Sequence, residues 1–487
     1  MNLRHRNWID GEWRTSESGR VFSVRNPADM RQICHEYPLS VREDVEAAIE
    51  GAAKAFPAWR STTLSEKIGI LRRAAVLIRE RRDEIAKIIT LENGKLLSES
   101  LVEIDAAAQE LEFQLGEGER QFGRIGECYR GGILGYSRKE ALGVVAAIIP
   151  WNFPFNVPFR KLGPALLAGN TAILKPASQT PAVGEAVVQI LIEAGIPAGV
   201  LQFVTGSGAE LSDSLVAHPK VRAVTFTGST SVGRNIALRA AVNFTRTQLE
   251  MGGKNPAVVL RDADLELAVQ AVAVGAYSCA GQWCTATSRV IVEDAIADLF
   301  MHRLLERVGQ IRLGPGDSIE STMGPVAGRH QLETVLGHLE RAKAQEASFI
   351  SGGSQYVGDG LEHGCFITPT VIDRVVPEHE VFRTEVFGPV LAVTRVANYE
   401  EALTVANDVP YGLSSSIFTR DLDRALHFVE HSEVGLTHVN VHSAYKEPQL
   451  SFGGVKESGF GLPEAGSTGI QFFQEEKAVY IRRGQSA

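Results

Sequence analysis

Residues 141–195, ALGVVAAIIPWNFPFNVPFRKLGPALLAGNTAILKPASQTPAVGEAVVQILIEAG, alternate two strand patterns with two helix patterns. ALGVVAAIIP (141–150) is apolar on both strand faces, and TAILKPA (171–177) is a second strand. Between them PFRKLGPALLAG (158–169) reads as a helix stopped by glycine. TPAVGEAVVQILIEAG (180–195) is a second helix, with Thr180 as N-cap, Pro181 in the first turn and Gly195 beyond the last. VLQFVTG (200–206) and RAVTFTG (222–228) each run as a strand into glycine and then a helix. Strands buried on both faces and alternating with helices imply an α/β fold built on a parallel, doubly wound sheet. Ligands bind such sheets beyond the carboxyl ends of the strands. The turns after Pro150, Ala177, Gly206 and Gly228 are therefore the candidate site.

The alternation resumes over 255–451 with NPAVVLRD, SRVIVED and LSSSIFTR, which reads as a second α/β domain. SGGSQYVGDGLEHG (351–364) is expected to be a hairpin or loop. Two segments fit neither domain: GRIGECYRGGILGYSRKEALG (123–143), strand-like with glycine interruptions, and QFFQEEKAVYIRR (471–483), an isolated strand pattern. Each is expected to project as an arm that completes its sheet on another subunit. The resulting division is 1–122 and 142–252 for one domain, 253–466 for the other, and 123–141 with 467–487 for the arm.

A chain of 487 residues with 44% hydrophobic content can fill two or three domain cores. Its net charge of −9, with the signs well mixed, argues against nucleic acid or an anionic membrane as partner. The cysteines (Cys34, Cys128, Cys279, Cys284, Cys365) are odd in number and scattered, so no disulfide or metal framework is expected and a reducing cytoplasm fits. The N-terminal residues lack an apolar signal core, and no apolar run reaches membrane-spanning length.

GQWCTATSRV (281–290) places Cys284 between a helical apolar run (268–277) and a β-branched strand pattern (288–292). A sulfur at such a junction can face a cleft. Thirty-four residues earlier LEMGGKNP (249–256) offers Glu250, followed by glycines that let backbone approach a ligand. A thiol with a water-activating carboxylate is equipment for chemistry through a thioester. The ordinary alternative for Cys284 is a small buried hydrophobe. GSTSVG (228–233) lies at a strand-to-helix turn suited to a phosphate. Lys175 of KPAS could reach a ribose or phosphate oxygen, or be a plain surface lysine. Asn152 of PWNFPF could donate its amide to an oxyanion, or be a turn residue.

Together these motifs resemble the aldehyde dehydrogenase superfamily over nearly the whole chain. NWIDGEW, NPAD, PWNFPF, KPASQTP, FTGSTSVG, LEMGGKNP, GQWCTATSRV, EVFGPV and SFGGVKESGFG occur in family order. The resemblance implies a Rossmann-like cofactor domain, an α/β catalytic domain, a β-arm for oligomerisation into a homodimer or homotetramer, and NAD or NADP as cofactor. It implies Cys284 as nucleophile, Glu250 as general base, and Asn152 with the Cys284 N–H as oxyanion hole. Ile148, Pro150, Trp151, Gly208, Phe226, Gly228, Ser229 and Val232 would line the cofactor. Lys175 and Ser178 would meet its adenosine ribose, and Glu385 and Phe387 its nicotinamide side. Coenzyme A-acylating relatives generally lack the carboxylate, so Glu250 makes the free acid the expected product. Many NAD-preferring members have glutamate where this chain has Ser178, so NADP is expected to be accepted alongside NAD. A cysteine amidohydrolase would need no dinucleotide turn, and a non-enzymatic derivative would be expected to lose the cysteine or the base.

The family's tunnel positions hold Val157, Arg160, Trp283, Tyr445, Lys446 and Phe452 here. A buried cation wants an anion, so Arg160 and Lys446 suggest an aldehyde with a distal carboxylate. Members acting on 2-oxoglutarate or succinate semialdehyde are the models for that reading. The alternative is an aromatic aldehyde of benzaldehyde or vanillin type, boxed by Trp283, Tyr445 and Phe452. Arg160 could also be a purely structural ion-pair member.

Overall fold

The computed structural model describes residues 5–482; the ends of the two terminal segments assigned above, 1–4 and 483–487, lie outside the described residues. Five parallel strands form the centre of the first sheet, in the order Leu201–Phe203, Thr171–Lys175, Val144–Ile148, Val221–Thr227, Arg246–Glu250. The chain enters at Val144–Ile148, winds outward on one side, then returns and winds outward on the other. That reversal is the switch point at which a doubly wound sheet opens a crevice. Antiparallel strands extend the edges: Asn7–Ile9 and Glu12–Arg14 at one, Gly459–Phe460 at the other. Gly459–Phe460 thus carries the 253–466 segment onto the first sheet.

Helices Asn156–Leu167 and Pro181–Glu193 cover this sheet as the apolar patterns require. Thr180 sits at the N-cap of the second, but its side chain makes no capping bond. The buried Glu92 carboxylate accepts from Ala182 N and Val183 N instead, so a neighbouring helix caps this one.

The second sheet runs Ser348–Ser351, Thr370–Asp373, Val390–Val396, Thr287–Glu293, Asn255–Val259, Ser414–Phe418, Leu436–Val439, parallel except at the first pair. Its core gathers Val259, Val290, Phe300, Val335, Phe382 and Val393. Residues 352–364 form a loop. The C-terminal strand is not isolated. Gln474–Arg482 pairs antiparallel with Ile133–Ala141 of the same chain, from Gln474↔Ala141 to Arg482↔Ile133, and Ile125–Gly126 adds a third strand. No described helix is long and apolar enough to cross a membrane.

Candidate active site

Helix Leu265–Tyr277 ends in a tight turn, Ser278–Gly281, and strand Thr287–Glu293 begins shortly after Cys284. Cys279 and Ala280 hold φ of 49° and 54°, a left-handed pair that non-glycine residues seldom adopt. Hydrogen bonds over-determine this strained turn. Glu99 Oε1 accepts from Cys279 N at 2.7 Å, and Gln282 Nε2 donates to Cys279 O at 3.0 Å. Asn255 Nδ2 donates to Cys284 O at 2.8 Å, and Gly253 lets that oxygen approach, since a Cβ there would stand 2.9 Å from it.

Asn152 is buried, and its Nδ2 donates to Gln282 O at 3.0 Å, tying the PWNFPF turn to the residues before Cys284. A buried ion pair anchors that turn from below. Lys95 Nζ donates to Asn152 O and to Glu103 Oε2, both at 2.7 Å, while Glu103 Oε1 accepts from Phe155 N and Asn156 N.

A cavity of about 560 Å³ opens on the Cys284 side of this scaffold. Asn152, Cys284 and all six tunnel residues named from the sequence (Val157, Arg160, Trp283, Tyr445, Lys446, Phe452) line it. Trp283 packs on Phe153 with ring centroids 5.7 Å apart, and Arg160 lies over the Phe452 ring at 4.6 Å. The two cations are not loose. Arg160 Nε and Nη2 donate to Glu110 at 3.0 and 3.1 Å, and Lys446 donates to the same carboxylate. Arg160 Nη1 lies 3.7 Å from Glu464, which is itself ion-paired with buried Lys161. Three cations therefore share two carboxylates.

Glu250 ends its strand buried, and its Oε1 has no hydrogen-bond partner among the described residues. Burial, then the Glu464 charge, push its carboxyl well above the usual range, against the pull of Lys161 and Arg160. Burial and the nearby Glu250 push the Cys284 thiol up to about 12, with Arg160 opposing. Burial thus favours the neutral form of both groups.

At the carboxyl ends of the first sheet, the helices Gly208–Val216 and Thr230–Ala240 begin without a side-chain cap, at Ser207 and Ser229. Their first N–H groups are free of side-chain acceptors and suit an anion. Lys175 is buried, donates among the described residues to Pro176 O, and is brought down to about 8 by burial. Ser178 Oγ donates to Gly206 O at 3.1 Å. Glu385 approaches from the segment leading into strand Val390–Val396 of the second sheet, its Oε1 accepting from Gly253 N at 3.0 Å. At 252 a Cβ would stand 2.0 Å from Glu385 Oε2, so a larger residue there would displace that carboxylate. Trp151 and Phe387 meet edge to face at 5.3 Å. An uncapped helix start, a lysine without a carboxylate partner and a carboxylate across the crevice fit a dinucleotide.

The aldehyde dehydrogenase family model matches residues 13–479. The chain belongs to the aldehyde dehydrogenase family. It is 40% identical over 476 residues to an alpha-ketoglutaric semialdehyde dehydrogenase of Bacillus subtilis (strain 168), covering 98% of each chain. It is 35% identical over 479 residues to a succinate-semialdehyde dehydrogenase [NADP(+)] of Escherichia coli (strain K12), again 98% of each. Among solved structures, betaine aldehyde dehydrogenase of Staphylococcus aureus in complex with NAD+ superimposes with a TM-score of 0.97 at 32% identity, covering 100% of this chain and 96% of that one. The protein is an aldehyde dehydrogenase oxidoreductase of a family that uses NAD(P).

Proposed function

We propose that this aldehyde dehydrogenase oxidises a carboxylate-bearing semialdehyde, of 2-oxoglutarate or succinate semialdehyde type, to the free acid. The carrying observation is the pair of cations that Arg160 and Lys446 bring to the cavity wall, both held by the one carboxylate of Glu110 behind it. A monocarboxylate completes that charge balance. The names of the relatives support the same substrate class.

In this reading the Cys284 thiol releases its proton to solvent water, and its Sγ then bonds to the aldehyde carbon. The carbonyl oxygen, now an oxyanion, takes hydrogen bonds from Asn152 Nδ2 and the Cys284 N–H. A bound nicotinamide would supply the hydride acceptor needed to oxidise the Cys284 adduct to a thioester. Glu250, once deprotonated, takes a proton from water, whose oxygen attacks the thioester carbon; the acid leaves and the Cys284 sulfur is restored. Ile148, Pro150, Trp151, Lys175, Ser178, Gly208, Phe226, Gly228, Ser229 and Val232 would hold the dinucleotide, with Glu385 and Phe387 at its nicotinamide end. Both NADP and NAD are expected to serve, since Ser178 presents no carboxylate to a 2′-phosphate.

The same reading assigns 1–122 and 142–252 to cofactor binding, 253–466 to catalysis, and 123–141 with 467–487 to an oligomerisation arm. A homodimer or homotetramer is favoured by the exposed Phe122, Ile125, Tyr129 and Tyr480 on or beside the arm, and by the edge strand Leu436–Val439. The five free cysteines favour a cytoplasmic setting.

Absorbance at the reduced-nicotinamide band with a panel of succinate semialdehyde, glutarate semialdehyde, pentanal and benzaldehyde tests the substrate class. The charged semialdehydes should have the highest kcat/KM. Benzaldehyde turning over best would transfer the reading to an aromatic box of Trp283, Tyr445 and Phe452.

A further inference from the structure

Asn156 was not among the tunnel residues expected from the sequence, yet it lines the Cys284 cavity and is buried. Its Oδ1 is committed: Arg160 Nη2 donates to it at 2.9 Å and Lys446 Nζ at 3.3 Å. Two cations on that oxygen fix which end of the amide is which. Nδ2 is therefore the free end, and it finds no acceptor among the described residues. A buried donor left unmade costs free energy that an incoming acceptor recovers. The main chain of Asn156 cannot turn away either, because its N–H is held by Glu103 at 3.1 Å.

We propose that the Asn156 side-chain amide is a carbonyl subsite that selects a semialdehyde with an oxo group next to its carboxylate. The inference rests on the semialdehyde reading above. A carboxylate received by Arg160 and Lys446 lies beside the very residue whose oxygen those cations grip. In the proposed subsite the substrate atom adjacent to that carboxylate lies against Nδ2. An oxo oxygen there accepts the orphaned hydrogen bond, whereas a methylene leaves it unmade. Of the semialdehyde types considered, this singles out 2-oxoglutarate semialdehyde.

The test compares 2-oxoglutarate semialdehyde with glutarate semialdehyde, two substrates of equal length and charge that differ only at that carbon. The full-length enzyme with saturating cofactor is assayed for the ratio of the two kcat/KM values, which is independent of the folded fraction. Wild type should favour the oxo substrate by about tenfold. Asn156→Asp keeps an oxygen for Arg160 and Lys446 but removes the donor, and Asn156→Ala removes both. Both variants should bring the ratio to within about twofold of one. A wild-type ratio near one, or a preference that survives both substitutions, overturns the subsite. So does a preference lost in His442→Phe but not in Asn156→Asp, because His442 Nδ1 is another unpartnered buried atom of the same wall. Pentanal outperforming both charged substrates would instead refute the semialdehyde reading itself.

Discussion

The Arg160 guanidinium forks onto the Glu110 carboxylate, Nε 3.0 Å from Oε2 and Nη2 3.1 Å from Oε1, with both side chains buried. The two residues are fifty positions apart, on helices Asn156–Leu167 and Leu97–Glu119. Glu110 thus holds the cation in the cavity wall while neutralising only part of the charge there, because Lys446 converges on it too.

Removing Glu110 should separate folding from binding. Glu110→Gln leaves Arg160 and Lys446 without their shared counter-ion, and breaking a buried pair from one side costs about 3–5 kcal/mol. Denaturant unfolding should show that loss, while a dicarboxylate inhibitor such as glutarate should bind more tightly because the wall is more positive. Weaker glutarate binding in a folded variant would show that Glu110 positions the cations more than it screens them.

The same pair gives an acid-stability signature. Burial alone would raise the Glu110 carboxyl, but Arg160 and Lys446 overcome it and hold the group at about 2, below its ordinary 4.5. The native state thus binds this proton less readily than the unfolded chain. Its stabilisation is complete above about pH 4.5 and is lost as the pH falls toward 2. Glu110→Gln should flatten stability against pH in that window, measured by unfolding at a series of pH values. An unchanged slope would show that other carboxylates dominate acid unfolding.

For the chemistry, Cys284→Ala should abolish turnover while cofactor binding stays measurable by calorimetry. Activity above about a hundredth of wild type would point to another nucleophile, Cys279 of the same cavity wall first. Glu250→Gln should leave a burst of reduced nicotinamide near one per active site, followed by slow turnover. A normal steady state would remove Glu250 from the mechanism.

The pH dependence of kcat has its own sign. Burial and Glu464 hold the Glu250 carboxyl high, so the acid limb of the profile should lie above the range of an ordinary carboxylate. Glu464→Gln removes a neighbouring negative charge and leaves Lys161 and Arg160 nearby, which should shift that limb to lower pH. A shift to higher pH would mean that Glu464 acts on another group.

Much of this site is legible in the chain because its parts are local. The glycine turn, the PWNFPF turn and the helix-to-strand junction at Cys284 are each read from a dozen residues, and all sit where those patterns put them. What holds them is not local. Arg160 could be named from its position, but its partner Glu110 lies fifty residues away, and Lys446 reaches that partner across 336. One signal was available: Glu99, Glu103, Glu110 and Glu117 recur at four- and seven-residue steps on the face of helix Leu97–Glu119 that also carries Ile104, Ala107 and Leu111. Carboxylates sharing a face with apolar residues need buried donors, and Cys279 N, Lys95, Arg160 and the Phe155 N–H are among them. The C-terminal strand looked isolated for the same reason, since Lys477 pairs with Arg138.

In the proposed reading Ser178, whose hydroxyl donates to Gly206 O, sets cofactor choice. Ser178→Glu should reduce kcat/KM for NADP far more than for NAD, because a carboxylate there repels a 2′-phosphate. A hundredfold wild-type preference for NAD that the substitution does not change would show that selection lies elsewhere.

Charge recognition by Arg160 is tested most directly by kcat/KM of wild type and Arg160→Ala for glutarate semialdehyde and for pentanal, which has the same length without the carboxylate. A charge-assisted contact contributes about 1.5–3 kcal/mol, so the variant should lose roughly tenfold to a hundredfold on the semialdehyde, mostly through KM, and little on pentanal. Equal losses on the two substrates would contradict carboxylate recognition and leave Arg160 as a structural partner of Glu110.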